Sequence, residues 1–83
     1  MEKVHAKIGI QKYKTSIKGK NIEFIADQSE NEGGMNLGPS PKELLAGSLA
    51  GCVAMTVRMY AVRSNWPLED VLVDVEIDTV TTP

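Results

Sequence analysis

At 83 residues and 9.0 kDa, with a formal net charge of -2, the chain amounts to at most one small domain, spanning 1–83. Hydrophobic residues make up 42% and charged ones 24%, which excludes intrinsic disorder, and a pI near 5.3 argues against a nucleic-acid partner, since phosphate readers carry a basic excess. The single cysteine excludes an internal disulfide, and no apolar signal region follows Met1, so a reducing, cytoplasmic location is expected.

Residues 4 to 10 alternate, with Val4, Ala6, Ile8 and Ile10 on one side and His5, Lys7 and Gly9 on the other, which predicts a half-buried strand. Tyr13, Thr15 and Ile17 repeat the pattern. Lys18-Gly19-Lys20-Asn21 supplies a turn before Ile22, Phe24 and Ala26 alternate again, so a three-stranded meander is expected. From Asp27 to Pro39 the pattern gives way to a long loop that carries two apolar residues, Met35 and Leu37, able to dock onto a small apolar ligand. The lysines between Lys3 and Lys20, and the acidic run of Glu69, Asp70, Asp74, Glu76 and Asp78, read as solvated faces.

Ser40 then stands as a helix N-cap, with Pro41 at the first helical position and Glu43 at the third, a capping box. The helix is expected to run to Arg63 or Ser64, where Asn65 and Pro67 stop it. From Leu44 to Val57 it holds no charged residue, and apolar or small side chains occupy every azimuth, the signature of a helix buried all round. That uncharged stretch is too short for a bilayer core of about 30 Å, so no membrane partner is expected. Val71, Val73, Val75 and Ile77 alternate with Leu72, Asp74, Glu76 and Asp78, predicting a fourth strand that residues 79–83 extend or leave as a tail. The order β-β-β-α-β reads as α+β, with one long buried central helix. A sheet covers one side of such a helix, and each Leu or Met left bare on the other forfeits about 1.5 to 3 kcal/mol, so a homodimer or higher homo-oligomer is predicted to complete the fold.

Few residues could carry chemistry. Cys52 lies about 18 Å into the helix, beyond the reach of the terminal dipole, and on composition alone reads as a small apolar side chain. Ser48, Met55 and Thr56 share its face and none is cationic, while Arg58 lies about 240° round the helix. Glu43 reads first as a capping residue and second as a catalytic carboxylate. His5 reads as a solvated surface residue, Tyr60 and Trp66 as core or interface anchors. With one histidine and one cysteine no zinc site is expected within a chain, and the glycines at 33, 34 and 38 match no phosphate loop, so neither metal nor cofactor is called for.

The run Gly33-Gly34-Met35-Asn36-Leu37-Gly38-Pro39-Ser40-Pro41-Lys42-Glu43-Leu44-Leu45-Ala46-Gly47-Ser48-Leu49-Ala50-Gly51-Cys52, continued by Ala54-Met55-Thr56-Val57-Arg58-Met59-Tyr60-Ala61 and by Trp66-Pro67-Leu68-Glu69, resembles the OsmC/Ohr family in the N-terminal half of its usual domain. The resemblance implies an intertwined dimer and thiol-dependent reduction of a small hydroperoxide, with Cys52 as the peroxidatic thiol and Glu43 beside the position of the family's helical glutamate, which Lys42 occupies. It also implies a resolving thiol, which the single cysteine assigns to a second chain or to an external reductant. The family's activating arginine has no counterpart, since no arginine precedes Arg58. The alternative is a non-catalytic module that acts by dimerising or by binding a small apolar ligand.

Overall fold

A computed structural model describes residues 2–78. The chain divides into two compact units, Met1–Leu44 and Leu45–Pro83. The first holds three strands, β1 (His5–Ile8), β2 (Thr15–Lys18) and β3 (Glu23–Ala26), in an antiparallel sheet of order β1-β2-β3. Its register sets Ala6 opposite Ile17 and Ile17 opposite Phe24, so the apolar alternation of the three strands falls on one face. β1 is shorter than the alternation predicts. It ends at Ile8, and Ile10 is fully exposed. At the other hairpin the Gly19 N–H donates to the Ile22 carbonyl at 2.8 Å, closing the expected turn.

The loop after β3 is ordered by Asp27, which is 2% exposed. Its Oδ1 accepts the backbone N–H groups of Tyr13 (3.1 Å) and Gln28 (2.8 Å), and its Oδ2 those of Met35 and Leu37 (both 3.3 Å). One carboxylate thus ties β3 to the β1–β2 connection and to the far side of the loop. A short 3-10 turn, Glu30–Glu32, ends at Gly33, whose φ of 90° is open to glycine at little cost. Gly38 passes so close to β3 that a Cβ would meet the Ile25 carbonyl, which leaves room only for hydrogen.

α1 spans Pro41–Arg63 and begins as the sequence predicts. The Ser40 N–H donates to Glu43 Oε1 at 3.1 Å, and the Glu43 N–H donates to Ser40 Oγ at 3.2 Å. Its end is a Schellman motif. Asn65 takes the left-handed conformation (φ 56°), its N–H donates to Val62, and the Trp66 N–H donates to Ala61 at 2.9 Å.

In the second unit, Ala61 is the one helical residue buried, while Leu45, Leu49, Val53, Met55, Met59, Tyr60 and Val62 are exposed. Within this unit α1 is left largely uncovered. The predicted fourth strand is a correction: among the described residues after Arg63 there is no strand, because an extended segment needs a neighbour to receive its N–H and C=O groups. The alternation nonetheless persists in exposure, with Val71, Val73, Val75 and Ile77 half-buried and Leu72, Asp74, Glu76 and Asp78 exposed. Residues 79–83, read as a continuation of this segment, lie outside the described residues. By length and composition α1 is also long and apolar enough to cross a membrane, which the charge-free stretch alone did not suggest; core helices of soluble proteins pass the same test.

Candidate functional site

Cys52 is a free thiol near the middle of α1, and it is exposed. A buried structural cysteine would be shielded on all sides; this one meets the access requirement for reactivity. Two polar side chains close to it in sequence are committed to backbone carbonyls. Ser48, one turn earlier, donates its hydroxyl to the Leu45 carbonyl at 2.7 Å. Arg58 donates through Nη1 to the Leu68 carbonyl at 2.6 Å and through Nη2 to the Glu69 carbonyl at 2.7 Å, so its guanidinium fastens the segment after the helix. That agrees with the expectation that Arg58 points away from Cys52.

Glu43 is exposed and belongs to the capping box, with one carboxylate oxygen held by the Ser40 N–H. The structure gives it the first of its two expected roles. His5 is exposed on β1 and sits opposite Lys18 in the register, and Trp66 follows the left-handed residue that closes α1. Among the described residues, no group of three or more His, Cys, Asp or Glu side chains could hold a metal ion.

Asp27 is the residue that sequence reasoning missed. Burial by itself raises the pKa of its carboxyl, but the four backbone N–H groups of Gln28, Leu37, Tyr13 and Met35 outweigh it and hold the group below the usual carboxylate range. Its signal was an acidic residue at the exact end of an alternating strand, opening a loop that ends in glycines. Beside it lies a cavity of about 290 Å³ lined by residues that include Ile8, Tyr13, Thr15, Asp27 and Glu32. With Asp27 saturated by backbone donors, its role there is to fix the wall.

The OsmC-like protein family matches residues 31–83, a stretch that takes in the glycine loop, the capping box, all of α1 and Cys52. No curated protein and no solved structure matches the chain. The match covers more than half of the sequence and contains every element that the resemblance rested on, and the chain belongs to the OsmC-like protein family.

Proposed function

We propose that the protein reduces a small hydroperoxide through Cys52. The Cys52 thiolate attacks one oxygen of the O–O bond. That bond breaks, the sulfur is oxidised to a sulfenic acid, and the departing alkoxide takes up a proton to leave as an alcohol. An external low-molecular-weight thiol then condenses with the sulfenic acid, releasing water and forming a mixed disulfide; a second such thiol restores Cys52 and leaves as the oxidised disulfide. The single observation that carries the reading is a free, exposed cysteine on the helix of an OsmC-like chain.

The same reading makes the protein a cytoplasmic homodimer. Leu49, Val53 and Tyr60 form one stripe along α1, each about half exposed, and the stripe with Cys52 lies beside it. A second copy covering the first stripe would remove the cost of its exposure while leaving the thiol open.

The test is stopped-flow reaction of the reduced protein with cumene hydroperoxide under second-order conditions. The expected result is loss of one thiol per chain at a rate at least about tenfold above free cysteine, abolished by Cys52→Ser, with activation drawn from the assembled dimer. A rate equal to that of free cysteine sinks the enzymatic reading and leaves the non-catalytic dimerisation module.

A further inference from the structure

The sheet is charged on the face opposite Ala6, Ile17 and Phe24, and that charge runs against the balance of the whole chain. The first 26 residues hold six lysines against two carboxylates, Glu2 and Glu23, although the net charge of the protein is -2. Strand alternation and register bring His5, Lys7, Ser16 and Lys18 to this second face. Lys18 shares its charge with Glu23, whose Oε1 lies 4.0 Å from Nζ. Lys7 and Lys14 are exposed and make no ion pair with a described residue. Both line one groove of about 500 Å³, together with Ser16, Ile10 and Ile25. Among the described residues that line it there is neither a carboxylate nor an aromatic ring. Ile10, just past the end of β1, is fully exposed, so the same groove offers two ammonium groups and a bare aliphatic side chain.

We propose that this face docks the protein onto a bilayer surface rich in anionic lipid, with Lys7 and Lys14 against the phosphate headgroups and Ile10 entering the headgroup boundary. Each lysine close to an anionic leaflet strengthens binding about fivefold, and the effect falls off within a Debye length. Lysines alone would suit any polyanion. A single-stranded nucleic acid would stack its bases on aromatic rings, which the groove lacks, whereas a bare isoleucine beside ammonium groups gains by leaving water for the acyl boundary. The sheet lies on such a surface and does not span it, so the short strands meet no hydrocarbon core. Cys52 takes no part, and hydroperoxide reduction and lipid docking therefore stand or fall separately.

The experiment is co-sedimentation of the full chain with two kinds of vesicle, phosphatidylcholine alone and phosphatidylcholine mixed with phosphatidylglycerol. Binding to the mixed vesicles is expected to be at least about tenfold tighter and to weaken as salt is added. Lys7→Gln/Lys14→Gln should weaken it at least about tenfold, and Ile10→Ser about threefold, both with unchanged circular dichroism. Equal binding to the two kinds of vesicle would overturn the proposal, since it would assign the affinity to apolar surface such as that of α1 rather than to the lysines. No binding to the mixed vesicles would overturn it as well. So would tighter binding to a single-stranded oligothymidylate that Ile10→Ser leaves unchanged, which would mark the face as a nucleic-acid surface. Should the double variant lose its circular dichroism, Lys7→Gln alone and Lys14→Gln alone give the same comparison.

Discussion

Asp27 uses both carboxylate oxygens on backbone N–H groups from three stretches of chain, and those bonds favour its ionised form. Its pKa is lowered in the folded protein, so its contribution to stability is fully present above the unfolded carboxylate value of about 3.9 and is lost as pH falls through the lower folded value. Thermal melts from pH 7 down to pH 2 are expected to show the natural chain losing stability below about pH 4 and Asp27→Asn, already destabilised at pH 7, losing less over the same range. Parallel curves would remove Asp27 from the acid response. Gly38 makes a second residue-scale test. A Cβ there meets the Ile25 carbonyl, so Gly38→Ala is expected to cost about 1 to 3 kcal/mol in urea unfolding, whereas the same change at Gly47, where a Cβ meets nothing within 4 Å, should stabilise α1 by about 0.5 to 1 kcal/mol.

At the scale of the element, α1 is defined by its two ends. The capping box at Ser40 and Glu43 was legible because both partners lie within four residues, and so was the stop at Asn65 and Pro67. Ser40→Ala should destabilise the protein by about 1 kcal/mol, read from the urea midpoint, because Glu43 then loses its reciprocal partner. The sheet was legible too, since period-two alternation fixes which residues share a face, and the observed register keeps Ala6, Ile17 and Phe24 together. The segment Val71–Asp78 shows the boundary of that logic. Its alternation fixed which side is covered but could not supply the neighbour that turns an extended segment into a strand.

For the molecule as a whole, the exposed apolar surface of α1 decides the expectation. Leu45, Leu49, Val53, Met55, Met59, Tyr60 and Val62 are all exposed, and against a net stability on the order of 5 kcal/mol for a protein of this size that apolar surface is expected to take cover from a second copy. Sedimentation equilibrium is expected to give at least twice the 9.0 kDa chain mass, and Val53→Asp, which places a charge in the stripe with Leu49 and Tyr60, should shift the population to monomer or to unfolded chain. A stably folded 9.0 kDa species in the natural protein would overturn the oligomer.

The amino-acid sequence by itself determined the elements with local causes: three alternating strands, the capped start of α1 and its stop before Asn65 and Pro67, and the family that the glycine loop and Cys52 belong to. Each depends on residues near one another in the chain, where periodicity, turn chemistry and capping act. Only the tertiary structure decided that Asp27 organises the loop, that Ser48 and Arg58 bond backbone carbonyls, and that Cys52 stands open on its helix. Those depend on which backbone groups come within hydrogen-bond distance once the chain has turned back on itself, information that no local pattern holds.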